Sequence, residues 1–354
     1  MDKNDSKEIL MKKIQEEESM TTIPAEDFFE TSQIDYDAFD DNAWKKGNGY
    51  TAPNFPLFSE KMEGLESGLF MIAGESNAGK TNIVMNLLID FCTNIKNNLF
   101  CIYFSLDDTA NELIPRLIAM HESIPISVGS KPQRYQDYID TGREGSSDIE
   151  ILIEKRKHGL EWLRSINKQF KIVDSNKVKC GEQIYDYIAK VQMYLAVHAP
   201  EKKLIIGIDS MSDIRFSTKK FSSDKERNDY IARTVKEWSV EFDIPIFGTL
   251  HLRKIEQNRR PTIADVKESG EYAYEASFLG IVYNDVSRNK QSATVYQTDI
   301  NTGEKLPVIE LDWAKNKKSS FKGRTYHYFQ PNYSLVIECS EEAASRYDTL
   351  IYTN

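Results

Sequence analysis

From residue 58 onward the chain alternates between short apolar runs and longer segments of helical period. The runs at 69–73, 99–105, 170–174, 204–209 and 244–250 are rich in β-branched or aromatic residues and bounded by polar ones, as strands buried on both faces are. Between them, 80–97, 109–122, 149–166, 181–197 and 224–242 place apolar residues three and four apart, which predicts helices. Strand and helix in alternation predict an α/β fold, a mostly parallel sheet covered by helices on both faces. After residue 250 the helical spacing stops, and 278–283, 308–313, 324–329 and 333–338 read as consecutive strands extending that sheet, which gives the fold C-terminal antiparallel strands.

Residues 1–57 show no sustained apolar period. A possible helix over 6–19, with Ile9, Leu10 and Ile14 in a narrow stripe, is followed by Pro24 and an acidic patch containing Phe28, Phe29, Tyr36 and Phe39. Such a segment either stays solvated or docks onto a neighbour, so an acidic, flexible arm is expected ahead of one domain over 58–340, with a tail over 341–354.

Composition narrows the class. With 40% hydrophobic and 28% charged residues among 354, the chain is neither fibrous nor wholly disordered. No apolar run approaches the ~20 residues of a membrane-spanning helix, and no apolar stretch follows the N-terminus, so neither a membrane nor a secretory route is expected. Cys92, Cys101, Cys180 and Cys339 form no C-x-x-C pair, and the five histidines show no metal-ligand spacing, which argues against a disulfide framework or a structural zinc. The net charge is −10, of which residues 1–57 hold −7. Basic clusters in the nearly neutral remainder are therefore free to meet phosphates.

The chemistry-bearing pattern is Gly74-Glu75-Ser76-Asn77-Ala78-Gly79-Lys80-Thr81, a G-x-x-x-x-G-K-[ST] string between a predicted strand and a predicted helix. Glycines let backbone N–H groups wrap phosphates, the helix N-terminus favours their charge, Lys80 reaches the β/γ-phosphates and Thr81 offers a hydroxyl to Mg²⁺. A simple glycine turn leaves the Lys-Thr pair unexplained. The run 204–209 ends on Asp209, a second candidate ligand for the metal, or else a turn aspartate. Asp213 beyond it reads as structural. The second strand ends Phe104-Ser105-Leu106-Asp107-Asp108, beside the phosphate-loop strand in the expected order; Asp107 can orient an attacking water or cap the helix that follows.

The run 64–81, the Phe104-Ser105-Leu106-Asp107 strand end, the strand ending at Asp209, the string Lys267-Glu268-Ser269-Gly270 and the late Lys315-Asn316-Lys317 occur in a recurring order and spacing. In these the chain resembles the RecA-like motor domain of DnaB-type replicative helicases, over roughly residues 58–340. The resemblance implies a RecA-like P-loop core, ATP with Mg²⁺, a ring-shaped homo-oligomer (a hexamer) and translocation on single-stranded DNA in replication. It further implies possible replication-protein partners and a location in the cytoplasm of a bacterial cell or phage-infected host. His251 takes the place of a polar phosphate sensor, or else closes a strand at the surface. Lys315 and Lys317 take the place of fingers reaching a neighbouring subunit's nucleotide, or else are solvated.

The sequence departs from the family pattern at Asp107, usually glutamate, and at Lys317, usually arginine. The pair Leu250-His251 is closer to the histidine form of phage primase-helicases than to the bacterial Ser-Gln. The family's N-terminal helical domain is not expected to have a counterpart in the acidic arm of residues 1–57, so coupling to primase in the usual manner is not expected either. For DNA, the loop after the fourth strand offers Arg215, Lys219, Lys220, Lys225 and Arg227, and the loop after the fifth offers Arg253, Lys254, Arg259 and Arg260; solvated faces are the alternative. With only Phe216 and Phe221 nearby, base stacking is expected to be a minor contribution. A RecA/RadA-like or DnaB-derived ATP-binding protein that remodels DNA or regulates with slow turnover is the competing reading.

Overall fold

The computed structural model describes residues 36–46, 49–141, 145–255, 259–267, 270–300 and 302–352. The helix expected over 6–19 and the residues Glu268 and Ser269 lie outside this set. The chain divides into two compact units, Met1–Asn48 and Gly49–Asn354. In the first, Tyr36–Lys46 is a helix, α1.

The second unit begins earlier than the expected boundary at 58, because the segment before it is built into the core. Phe55 and Phe58 are buried, and Phe58 packs against Phe91, Phe278 and Trp313. The Glu338 carboxylate accepts from the N–H groups of Leu57 (2.6 Å) and Phe58 (2.9 Å), satisfying the first turn of α2 (Pro56–Lys61).

Strands β1 (Gly68–Gly74), β2 (Leu99–Ser105), β3 (Phe170–Asp174), β4 (Lys203–Asp209), β5 (Pro245–His251) and β6 (Phe278–Asn284) alternate with α3 (Lys80–Thr93), α4 (Ala110–Glu122), α5 (Ile126–Ser130), α6 (Pro132–Asp140), α7 (Ser146–Ser165), α8 (Gly181–His198), α9 (Asp224–Glu241) and α10 (Gly270–Glu275). Then follow α11 (Asp285–Asn289), β7 (Tyr296–Thr298), β8 (Lys305–Asn316), β9 (Arg324–Gln330), β10 (Leu335–Glu338) and α12 (Glu341–Tyr352). The sheet order is β10-β9-β8-β6-β1-β5-β4-β2-β3, with β7 on β8. β6 runs parallel to β1, whereas β8, β9 and β10 are antiparallel additions.

Alternation along the strands divides the core. Phe70 and Ile72 of β1 join one apolar layer, and Leu69, Met71 and Ala73 join the other. At Gly207 a Cβ would lie 2.6 Å from both Leu88 and Tyr103, so any larger residue there would push the Leu88 side chain of α3 and the buried Tyr103 ring aside.

Four expectations change. Helices do not stop after residue 250: α10, α11 and α12 follow, the first two being too short to show a period. The expected tail is a helix, whose Ala343 and Tyr347 join Val295, Val308 and Tyr326 in a small core. α3 ends at Thr93 instead of 97, because the Asn97 amide donates to the Phe91 and Thr51 carbonyls and turns the chain out of the helix. β2 does not neighbour β1; β5 and β4 lie between them. Among the described residues no helix is long and apolar enough to cross a membrane.

Candidate nucleotide site

The C-terminal ends of β1, β5, β4 and β2 form one rim, the edge at which open α/β sheets gather ligands. The loop leaving β1 turns through Asn77 (φ 62°) and Gly79 (φ 103°), both left-handed. A Cβ on Gly79 would stand 2.7 Å from Ile309 Cδ1. α3 starts directly at Lys80, so its unpaired N–H groups face the loop.

Lys80 is buried, and its Nζ donates to the Glu75 carbonyl at 2.9 Å. Burial lowers its pKa, opposed by Asp209, Asp107 and Glu75 in that order. Thr81 Oγ1 donates to Asp209 Oδ2 at 2.6 Å. Tyr103 OH donates to the same oxygen at 2.7 Å, and Thr249 Oγ1 donates to Oδ1. Asp209 is thus aimed at the phosphate loop and is not a turn aspartate. The turn role falls to Asp213, which accepts from Ser210 Oγ at 2.7 Å. Tyr103 and Thr249 escaped the sequence reading, since a hydroxyl inside an apolar run reads as core; its position near a strand's end was the available signal.

A cavity of about 1000 Å³ is lined by Lys80, Thr81, Asp107, Asp209, His251 and Asn284, among others. Asp107 reaches it although its strand is remote from β1, because Leu106 N–H donates to the Asp209 carbonyl (2.6 Å) and draws the two strand ends together. Helix capping is assigned elsewhere. Thr109 and Glu112 form the capping box of α4, Asp174 accepts from Ala110 N–H, and Asp108 pairs with Arg116 at 2.7 Å. Asp107 is exposed, and its pKa is raised, first by partial burial and then by Asp108, Asp213 and Asp209. His251, half-buried at the end of β5, has its pKa lowered by burial and then by Lys80. It is therefore neutral at neutral pH.

Lys315 and Lys317 sit at the opposite rim, where the end of β8 pairs with the start of β6. A seven-residue strand spans roughly 20 Å, so neither lysine reaches the cavity of its own chain. They share one neighbour, as alternation predicts: Lys315 Nζ donates to the Ala273 and Tyr274 carbonyls, and Lys317 Nζ lies 5.9 Å from the Tyr274 ring.

The two basic loops differ from expectation. After β4, Arg215, Lys219, Lys220 and Lys225 are exposed, Lys219 Nζ sits 3.7 Å over the Tyr230 ring, and Arg227 pairs with Asp224. Phe216, Phe221 and Tyr230 pack into one aromatic cluster, a grouping the sequence reading undercounted because Tyr230 lies on α9. Of the four cations expected after β5, only Arg253 and Lys254 are exposed without an ion pair among the described residues. Arg259 makes a two-point pair with Asp265 (2.6 Å each) and Arg260 one with the buried Glu310 (2.6 and 2.8 Å). Both arginines brace the loop. The fold also collects three groups that spacing did not connect: His121 and His158 each donate from Nδ1 to Glu122 Oε1 at 2.7 Å. The four cysteines are free thiols.

A lysine at a helix N-terminus, a hydroxyl clasped to a strand-end carboxylate and a large cavity open beside them define a P-loop nucleotide-binding protein of the α/β class. The model of the DnaB-like helicase C-terminal domain matches residues 52–334, and the chain belongs to that family. It is 24% identical over 282 residues to a probable replicative DNA helicase of Trieres chinensis, covering 77% of this chain and 53% of the relative. It is 24% identical over 255 residues to the replicative DNA helicase DnaB of Geobacillus stearothermophilus, covering 71% and 48%. A solved DnaB-like replicative helicase, described with its interactions with primase, superposes with a TM-score of 0.67 at 18% identity, covering 95% of this chain and 76% of that one, a likeness of fold. The chain spans about half the length of the curated relatives it matches.

Proposed function

We propose that this chain is the ATP-hydrolysing motor of a replicative DNA helicase, assembled as a ring, a hexamer, that moves along single-stranded DNA in the cytoplasm. The observation that carries the reading is the clasp of Thr81 on Asp209 beside Lys80, within a family match that spans the whole site. Hydroxyl and carboxylate oxygens form a hard donor set that suits Mg²⁺ with water completing the shell, so Thr81 and Asp209 would hold that ion. When bound there, Mg²⁺ would supply neutralisation of the triphosphate charge.

In this reading the backbone N–H groups of 75–81 and the ammonium of Lys80 hold the triphosphate in place. Asp107, with its carboxylate open to the cavity, orients the attacking water and takes its proton. His251, uncharged, senses the γ-phosphate from the end of β5. Lys315 and Lys317 deliver positive charge to the nucleotide of an adjacent subunit, a role supported by their distance from their own cavity. Arg215, Lys219, Lys220, Lys225, Arg253 and Lys254 track DNA phosphates. Replication proteins are its partners. The test is ATP turnover with and without single-stranded DNA, followed by strand separation on a forked duplex. A DNA-stimulated ATPase that separates strands is expected, whereas turnover indifferent to DNA overturns the motor assignment.

A further inference from the structure

A connection between the phosphate loop and the loop after β5 runs through a side chain that no motif singles out. Arg288, on α11, donates from one terminal nitrogen to Glu75 Oε2 at 2.5 Å and from the other to the Ile255 carbonyl at 2.7 Å. Glu75 belongs to the phosphate loop, and Ile255 follows Arg253 and Lys254 in the loop after β5. Glu75 and Arg288 line a second cavity of about 390 Å³, together with Ser76, Arg253, Lys254 and Tyr283.

The arginine stands on a fixed post. Asp285, buried at the start of α11, accepts from Thr294 N–H (2.6 Å), Val295 N–H (2.9 Å) and Asn289 Nδ2 (2.6 Å). Asn284 caps the same short helix through Ser287 N–H. With α11 held in place, a shift of Glu75 is taken up by reorientation of the Arg288 guanidinium, and this alters its bond to the Ile255 carbonyl. The guanidinium is mostly buried, and its planar fork suits two acceptors at once, where a lysine ammonium acts as a single point charge.

We propose that Arg288 is a positioning residue that transmits nucleotide occupancy from the phosphate loop to the loop after β5. Lys80 Nζ donates to the carbonyl of Glu75, the residue whose side chain holds Arg288. Phosphate oxygens are stronger partners for an ammonium than a neutral carbonyl, so nucleotide draws Lys80 away and releases the backbone at Glu75. The Glu75–Arg288–Ile255 bridge then carries the adjustment to Arg253 and Lys254. The functional meaning of this route, coupling ATP to DNA, rests on the reading above; the mechanical link can be tested without DNA.

The test compares wild type, Arg288→Lys and Arg288→Gln by amide hydrogen exchange over residues 252–255, with and without a non-hydrolysable ATP analogue. Exchange in the wild type should change roughly 5-fold or more on nucleotide binding, within the usual range of coupling between sites. In both variants the response should fall to within about twofold of none while analogue affinity and Tm stay near wild type. A full response in the variants overturns the proposal, as does a wild type that shows none. Loss of analogue binding in a variant also overturns it, making Arg288 a support for the phosphate loop alone. Affinity of the wild type for single-stranded oligonucleotide, measured alongside, judges the motor reading separately. If that reading holds, the ratio of DNA affinities with and without analogue should collapse toward one in Arg288→Lys, an effect that general destabilisation does not produce.

Discussion

The two rims of the parallel strands treat positive charge in opposite ways. At the C-terminal rim, Lys80 is buried among Asp209, Asp107 and Glu75, each of which pulls its pKa up against the cost of burial. At the N-terminal rim, Lys315 meets Lys317 and Lys236, and Lys236 meets Lys318 and Lys317, so that four lysines face two acids, Glu275 and, 3.6 Å from Lys318, Glu66. The first cation is compensated from within the chain and held ready for a ligand that brings both anion and metal. The second group has surplus charge, and burial with like-charge crowding pushes the Lys315 pKa down to about 8. An external anion relieves that surplus, as the nucleotide of an adjacent subunit would. A compensated cation shapes a site inside one chain, whereas an uncompensated cluster points to a partner.

The largest effect should come from removing the compensated cation. Lys80→Ala leaves the carboxylates of Asp107 and Asp209 in the cavity with no ammonium between them and the phosphates, and nucleotide binding, followed with a fluorescent ATP analogue, should be abolished. Wild-type affinity in that variant would show that the Lys80 ammonium is not what holds the nucleotide. Asp107→Asn should bind ATP nearly normally yet lose hydrolysis on the order of 10²-fold or more. Asp107→Glu sharpens the point: faster turnover identifies the short side chain as limiting, and slower turnover identifies a cavity shaped around aspartate.

How much of this the sequence displayed depends on how local each feature is. The phosphate loop, the strand ending at Asp209 and the five parallel strands were legible because each is a contiguous pattern with its own period or fixed spacing. The pairing of Thr81 with Asp209, 128 residues apart, followed from the motif logic alone. What escaped detection depends on tertiary proximity. Arg259 and Arg260 read as free cations because Asp265 and Glu310 meet them only after folding. Phe55 read as the end of an arm because a short apolar stretch between prolines carries no period. Strand order was misjudged at β2 because chain order does not fix sheet order.

A test of the partner-directed rim mixes Lys80→Ala chains with chains carrying Lys315→Ala and Lys317→Ala together. Each is expected to be inactive alone, but mixed rings contain interfaces where an intact phosphate loop faces intact lysines, so partial ATPase activity should return. Absence of recovery in confirmed mixed assemblies would count against action between subunits. pH supplies a smaller and independent effect. Lys315 is protonated below about 8, so kcat/KM, which reports the enzyme before nucleotide binds, should fall up to tenfold per unit as pH rises beyond that value. Arg at 315 stays charged throughout, and Lys315→Arg should flatten this limb. A limb unchanged by the substitution assigns the titration to another group.

The smallest expected effect applies the same distinction to the two basic loops. Lys219, Lys220 and Lys225 are exposed without ion pairs among the described residues, whereas Arg259 and Arg260 spend their charge on Asp265 and Glu310. Neutralising the three lysines together should weaken binding to all single-stranded sequences alike and reduce the slope of log affinity against log salt by up to about three phosphate contacts, roughly 0.7 in slope for each. Replacing Arg260 by Ala should leave that slope nearly unchanged. It should instead lower stability by about 3 kcal/mol, because Glu310 is fully buried and loses the cation that offsets its burial. Salt titration of oligonucleotide binding and urea unfolding of the two variants separate the outcomes. If Arg260→Ala shifts the salt slope while leaving the urea midpoint in place, its pairing with Glu310 is not what holds it, and the loop after β5 joins the surplus class.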